Sequence, residues 1–410
     1  MRILLGTDTY HPDVNGAAYF TQRLADGLID RGHEVRVLCP SRGARSERGE
    51  HAGVQTVRIA SVPVPRYPEL RFSPPYPART ARLRAALTDF EPDLVHCQNH
   101  FFLSRALIRT ARRMGVATVA TNHFVPENIL VQLSFLPSGL RRAVGWWLAR
   151  DLVGVYENAD AVAAPTPFAA RLLEQTGLNR LVTAISCGLD LTRFGPRAAP
   201  TRRPEWLPKR PTLLFVGRLD REKRIEELID AVGIVREHVD AQLVVVGRGK
   251  ERPHLERYAV ERGVQDRVIF TGFVSDEELP HIYAAADIFC MPGTIELQSI
   301  VMLEAMAFAK PVIAVDALAL PHLARDGVNG HTYTPGDLTS LAKHTVSLLT
   351  NEGLRRRMGE KSRTIVAAHG IERTLDEYEQ LYARTLGVPA PAHVDATADE
   401  PIELEFVAAP

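Results

Sequence analysis

The 410-residue sequence predicts an α/β protein built from two doubly wound parallel sheets facing a central cleft. Three observations lead there. Short runs rich in Val, Ile and Leu recur, and they are near-continuous rather than alternating, as strands buried on both faces require. Amphipathic stretches of helical period separate them. The alternation occurs twice, with one break at the Pro- and Arg-rich "RFGPRAAPTRRPEWLPKRP".

Taken in order, "RILLGT", "EVRVLCP", "VQTVRIA", "DLVHCQN", "ATVATNH", "AVAAPT" and "LVTAISCG" read as the strands of a first domain over residues 1–190. Between the first two, "FTQRLADGLIDRG" has a helical pattern that closes on glycine. The break marks a linker over 191–211. Beyond it, "TLLFVGR", "QLVVVGRG", "RVIFTGF", "IFCMPG", "PVIAVD" and "HTYTP" supply a second domain over 212–370, with "IEELIDAVGIVREH" as a helix. A helix at about 371–386 is expected to rejoin the first domain. Residues 388–410 hold repeated Pro and Ala and five acids without Lys or Arg, and read as a disordered acidic tail. In doubly wound sheets ligands bind beyond the carboxyl ends of the strands, so the cleft is the expected site.

Bulk composition narrows the classes. The chain is 45% hydrophobic and 24% charged, as soluble globular proteins are. No apolar run reaches the length of a transmembrane helix. "MRILLGTDTYHPD" enters a strand directly, without a signal-peptide pattern. Cys39, Cys97, Cys187 and Cys290 fit neither a zinc site nor a disulfide scaffold, so buried reduced thiols in a cytoplasmic protein are expected. Net charge is zero, yet residues 1–190 carry 22 Arg, no Lys and 17 acids, a net of +5. The first half is therefore the one suited to an anionic surface; no nucleic-acid partner is expected.

The motifs cluster at strand ends. "GTIELQSIVMLEAMAFAKPVIAVD" sets Glu296 and Glu304 in an otherwise apolar run. On one continuous helix the two would lie roughly 12 Å and about 80° apart. A buried carboxylate is costly unless paired, so the alternatives are structural ion pairs or a ligand site. Carboxylates at that spacing suit sugar hydroxyls at two ends of a diphosphate-linked ligand. In "FVGRLDREKRIEELIDAV", Arg218 and Lys223 precede a helix and read as an anion site or as a solvated basic turn. In "DTYHPDVNGAAYF", Gly16 lies in a small-residue loop after the first strand, where backbone can approach a phosphate or sugar. His123 ends the strand "VATNH" and is either structural or catalytic. Neither a dinucleotide fingerprint nor a P-loop is present, and the lone GxG of "VVVGRGK" does not make one.

Together, "GTIELQSIVMLEAMA", "GRLDREK", "DTYHPDVNGAA", "TNH" and "GLDLTRFGP" resemble, in order, the landmarks of retaining glycosyltransferases of family four, the E-x7-E type with the GT-B fold of two Rossmann-like domains. The resemblance covers roughly residues 1–385. It implies transfer of a hexose, glucose or mannose, from a UDP- or GDP-sugar to a lipid or carbohydrate acceptor, forming an α-glycosidic bond. It also implies that Glu296 contacts donor-sugar hydroxyls, Glu304 the ribose, Arg218 and Lys223 the diphosphate, Gly16 the donor phosphate and His123 the transferred sugar. Gln298 and Ser299 stand where many members have Phe-Gly, and "ELQS" is similar to members that glycosylate diacylglycerol lipids. No Asp-x-Asp occurs, so no essential metal and no cofactor are expected. A nucleotide-sugar epimerase or hydrolase, or a non-catalytic sugar-nucleotide binder, is the alternative on the same architecture.

Basic stretches in the first half bear on the acceptor. "RYPELRFSPPYPARTARLR" has five Arg to one Glu, "SRALIRTARRMG" repeats Arg105, Arg109, Arg112 and Arg113, and "LPSGLRRAVGWWLARDLVG" joins Arg141, Arg142 and Arg150 to Trp146 and Trp147. Arg beside Trp on a helix suits an anionic membrane interface, here the inner face of the plasma membrane. The competing reading is a solvated Arg face with one Trp in the core.

Overall fold

The computed structural model describes residues 1–393 apart from 14, 65–66, 75–76, 132, 134 and 196–201. Residues 196–201 of the expected linker and 394–410 of the expected tail lie outside the described residues. The chain divides into two compact units, Met1–Gly188 together with the chain from Ile371, and Leu189–Gly370.

The first unit is built on an eight-stranded sheet. Its strands are β1 (Arg2–Gly6), β2 (Glu34–Pro40), β3 (Glu47–His51), β4 (Val54–Ile59), β7 (Leu94–Cys97), β8 (Ala117–Thr121), β9 (Ala161–Ala164) and β10 (Val182–Ala184). Their order is β10-β9-β8-β7-β1-β2-β4-β3, parallel throughout except for the antiparallel edge strand β3. β5 (Val62–Val64) and β6 (Tyr67–Phe72) form a separate antiparallel pair. Helices α1 (Gly16–Asp30), α2 (Pro77–Phe90), α3 (Phe102–Arg113), α4 (Glu127–Leu130), α5 (Ser138–Tyr156) and α6 (Pro167–Gln175) follow successive strands. Their starts carry their own signals. The Asn15 side chain accepts from Ala18 N at 3.0 Å, and Thr166 accepts from Ala169 N at 3.1 Å with Pro167 in the first turn. Asp8 is buried where the chain leaves β1 and takes hydrogen bonds from Leu103 N (2.7 Å) and Ser104 N (3.1 Å), satisfying the start of α3.

The second unit has six parallel strands, β11 (Thr212–Val216), β12 (Gln242–Val246), β13 (Val268–Gly272), β14 (Ile288–Met291), β15 (Val312–Val315) and β16 (Gly330–Tyr333), ordered β13-β12-β11-β14-β15-β16. The order reverses between β11 and β14, so the crevice of that sheet lies at their carboxyl ends. Its helices are α7 (Ile225–Val235), α8 (Arg252–Glu261), α9 (Leu279–Ala285), α10 (Ile300–Ala307), α11 (Leu320–Leu323), α12 (Leu338–Thr350) and α13 (Glu352–Ala367). β11, β12, β14 and β15 are buried along their whole length, as their unbroken apolar runs require.

The chain then returns to the first unit as α14 (Ile371–Leu386), which packs on α1 and β8. Arg31 at the end of α1 reaches Glu372 (2.7 Å), Asp376 (2.6 Å) and the fully buried Glu379 (2.6 Å), and His33 Nε2 meets Glu379 at 2.6 Å. Burial opposes ionisation of Glu379, but hydrogen bonds from His33, Arg31 and His393 overcome it and hold its carboxyl down at about 2. All four cysteines are buried, and none of them forms a disulfide. Among the described residues no helix is long and apolar enough to cross a membrane.

Candidate active site

At the carboxyl ends of β11 and β12 two loops lock together through their backbones. Gly217 N donates to Val246 O at 3.0 Å and Leu219 N to Arg248 O at 2.9 Å. A Cβ on Gly247 would stand 1.9 Å from Gly217 O, and one on Gly249 would stand 2.2 Å from Leu219 O. The lone GxG is thus a packing device between loops, which accounts for its glycines without a dinucleotide. The loop carries Arg218, half-exposed, to Asp220 (2.5 Å) and Glu222 (3.4 Å). After a short turn, Arg221–Lys223, Arg224 takes the left-handed conformation (φ 49°) and pairs with Glu227 at the start of α7. The second oxygen of Glu227 accepts from Tyr333 Oη at 2.8 Å. Arg218 and Lys223 lie just before α7, among acidic neighbours that the spacing alone did not reveal. Glu226 and Glu227 already occupy the first turn of α7, and both Arg218 and Lys223 have carboxylate partners.

The stretch after β14 is a loop before it is a helix. Thr294 N donates to Glu222 O at 3.3 Å, Ala319 N donates to Glu296 O at 3.2 Å, and a Cβ on Gly293 would meet Lys223 Cδ at 3.2 Å. α10 starts only at Ile300. Glu296 lies in the loop and Glu304 inside the helix, so the helical spacing expected for the pair is corrected. The cause is local: the loop is pinned on the Arg221–Lys223 turn, and the Glu296 carboxylate pairs with the Lys223 ammonium, their side chains 15% and 14% exposed. Glu304 is buried in α10 and accepts from Tyr283 Oη at 2.7 Å. Ser299 is also buried, and among the described residues its Oγ has no hydrogen-bond partner. Gln298 beside it is half-buried. Arg218, Lys223, Glu296, Gln298 and Ser299 thus share one edge of this unit's sheet, with Glu304 behind them in the helix.

In the first unit His123 follows β8. Its Nε2 is 3.2 Å from Gln98 Oε1, its Nδ1 is 4.0 Å from Cys187 Sγ, and its ring meets Phe20 edge-on at 5.1 Å. Burial pushes its pKa down to about 4, so the imidazole is neutral at pH 7, with Nε2–H given to Gln98 and a lone pair on Nδ1. Beneath it, His96 is held by Tyr382 Oη (2.7 Å) and Thr121 Oγ1 (2.7 Å), and Thr121 in turn by Tyr378 Oη (3.0 Å). Burial, with His123 nearby, pushes His96 down to about 3. Sequence reasoning missed this buried network. His96 lies within an apolar strand and its tyrosines lie on α14, far along the chain. Gly16 opens α1, and a Cβ there would meet nothing within 4 Å. The fold itself does not demand glycine at that position.

Among the described residues no group of three or more His, Cys, Asp or Glu is placed to hold a metal ion. What the second unit offers is two cations, each with a carboxylate within reach, and a buried hydroxyl lacking a partner. That set can bind an anion and a polyhydroxy compound side by side.

Comparison with known proteins shows the family and the fold. Residues 14–193 match the family described as Glycosyltransferase Family 4, and residues 200–365 match Glycosyl transferases group 1. A GDP-mannose-dependent alpha-mannosyltransferase of Mycolicibacterium smegmatis is 32% identical over 391 residues, covering 94% of this chain and 98% of that one. An alpha-monoglucosyldiacylglycerol synthase of Streptococcus pneumoniae is 29% identical, covering 81% and 75%. Among solved structures, sucrose-phosphate synthase from Thermosynechococcus elongatus superposes with a TM-score of 0.76 at 22% identity, over 94% of this chain and all of that one. HepE of Anabaena bound to UDP-glucose superposes with a TM-score of 0.70 at 19% identity, over the same shares. The fold is GT-B, and the chain is a glycosyltransferase that belongs to family 4.

Proposed function

We propose that the protein moves a hexose, with retention at the anomeric carbon, from a sugar nucleotide to a lipid, and that mannose from GDP-mannose is its first-choice donor. The observation that carries this reading is the Lys223–Glu296 pair at the switch point of the second sheet. It sets a cation for a diphosphate against a carboxylate for sugar hydroxyls. The donor base and sugar follow the mannosyltransferase relative, aligned over nearly its whole length. The lipid acceptor follows the names of two relatives, the diacylglycerol-lipid synthase and a GDP-mannose-dependent phosphatidylinositol dimannoside mannosyltransferase of Mycobacterium tuberculosis.

In this scheme Arg218 and Lys223 stabilise negative charge growing on the leaving diphosphate, the main demand of the reaction. Glu296 holds the sugar hydroxyls, Glu304 the ribose, and Gln298 with the Ser299 hydroxyl the face of the transferred hexose. Gly16 lets the backbone approach the donor phosphate. Neutral His123 orients the sugar by hydrogen bonding. The acceptor hydroxyl attacks on the face the nucleotide leaves, and its proton passes to a leaving phosphate oxygen, so no protein nucleophile and no metal are required. The exposed Trp146 and Trp147 support a peripheral seat on an anionic cytoplasmic leaflet.

The test is a thermal-shift screen with GDP-mannose, UDP-glucose, GDP and UDP, followed by mass spectrometry of products from a lipid extract. The expected result is a shift with GDP-mannose and a lipid heavier by one hexose. Epimerised or hydrolysed donor without acceptor, or no product with any acceptor, overturns the proposal in favour of an epimerase, a hydrolase or a binding protein.

A further inference from the structure

The first unit holds a recess that the donor-site residues do not use. It has a volume of about 260 Å³ and is walled by Phe124, Leu130, Trp146, Ala149, Leu152 and Leu173, contributed by α4, α5, α6 and the loop after β8. Protein interiors leave few voids larger than a water. Most of the wall is apolar, with Asn122, Glu127 and Thr176 as its polar members, so the recess suits a guest that is largely apolar. Its inner end reaches Asn122, whose Oδ1 is already engaged by Phe124 N and Tyr156 Oη, each at 3.2 Å. The next residue is His123.

The outer rim identifies the guest. Trp146 lines the recess and is also 65% exposed. On the same helix Trp147 is 59% exposed and Leu140 51%, and Phe135 just before it is 71% exposed. Arg142 and Arg150 are exposed on the same helix, with the Arg150 guanidinium 5.6 Å from the Trp146 ring. Exposed aromatics flanked by arginines fit the boundary between anionic headgroups and acyl chains.

Building on the lipid-acceptor reading above, we infer that this recess takes one acyl chain of the acceptor lipid, drawn from the bilayer past Trp146. The chain then anchors the lipid so that its headgroup lies by His123. A recess of about 260 Å³ has room for part of one acyl chain. Each methylene accommodated strengthens binding up to about fourfold, and the gain ends when the recess is full.

The experiment uses the full chain with vesicles of phosphatidylcholine and phosphatidylglycerol that contain a lysophosphatidylglycerol bearing a diazirine on its acyl chain. Wild type is compared with Ala149→Phe, which fills the recess from a half-buried position, and with Leu172→Trp, which fills it from α6 should the first variant not fold. Photolabel on Leu130 and Leu173 is expected in wild type and is expected to fall at least tenfold in the filled variant. Vesicle flotation and the donor thermal shift stay unchanged, and glycolipid synthesis loses activity through acceptor KM. Label confined to Trp147 and the outer face, or recess label equal in wild type and variant, overturns the inference while glycolipid formation leaves the lipid-acceptor reading standing. Wild type that glycosylates only soluble sugars overturns both.

Discussion

The Lys223–Glu296 pair makes the sharpest prediction, and Glu296→Gln is the perturbation. Two unit charges about 4 Å apart attract by about 4 kcal/mol at an effective dielectric near 20. Desolvation offsets several kcal/mol of that for each ion. Exposed pairs net about 0.2–1 kcal/mol, and losing one partner of a fully buried pair costs about 3–5 kcal/mol. With both side chains about 15% exposed, Glu296→Gln should cost between these limits, about 2 kcal/mol. For a unit of this size that corresponds to a drop in melting temperature of about 4–8 °C. The functional expectation has the opposite sign for one ligand. The neutral amide of the variant no longer offsets the Lys223 charge, so GDP alone should bind as tightly as to wild type or tighter, while hexose transfer falls at least about a hundredfold. Lys223→Met should instead weaken GDP by about ten- to a hundredfold, the worth of a hydrogen bond to a charged group. Calorimetric titration with GDP and an end-point transfer assay on the same preparations decide the matter. If Glu296→Gln weakens GDP and transfer by the same factor, the pair only shapes the loop and the proposed division of labour is wrong.

Three further outcomes follow. His96, His100 and His123 have pKa values lowered by burial to about 3, 3 and 4, below the ordinary value near 6.5 of an unfolded chain. Between those limits the unfolded chain binds more protons, so stability is full above pH ~6.5 and drains as pH falls toward 4, by up to about 1.4 kcal/mol per pH unit for each histidine; urea unfolding at pH 7.5, 6 and 5 should show this, and His96→Gln should flatten the slope. Tyr283→Phe strips Glu304 of a donor inside a buried helix and should cost about 1.5–3 kcal/mol in chemical denaturation. The glycines should split in behaviour: Gly247→Ala drives a Cβ into Gly217 O and should leave no soluble second unit, whereas Gly16→Ala should stay within about 0.5 kcal/mol of wild type and still lose transfer activity.

The parallel strands were legible because burial on both faces forces unbroken apolar runs, and each run quoted from the sequence overlaps an observed strand. β3, β5 and β6 were not legible. "ERGEH" is wholly polar or glycine and "VPV" carries a proline, so neither shows the period of a half-buried strand. The two acids of the E-x7-E motif stood out as charges in an apolar run, but their geometry did not. Helical phase presumes one helix, and Ser299 just before the apolar "IVMLEAMA" was the only local sign that the helix starts late. The arginine-rich stretches divide once partners are known. Arg105 pairs with Asp151, and Arg71 is buried and donates to Ser61 Oγ and to the backbone carbonyls of Ser61 and Arg42. Those two serve the fold, whereas Arg109, Arg113, Arg142 and Arg150 face solvent. Trp146 and Trp147 are both exposed, which removes the reading of one of them packed in the core.

The return of α14 to the first unit has a bearing on biogenesis. The partners that α14 gives Arg31, His33 and His96 are encoded only after the whole of the second unit. During translation the amino-terminal unit must therefore wait, with two histidines and an arginine lacking their anchors, until some 180 later residues have left the ribosome. A message truncated after codon 370 would yield a finished second unit attached to a first one that cannot close, a natural substrate for quality-control proteases.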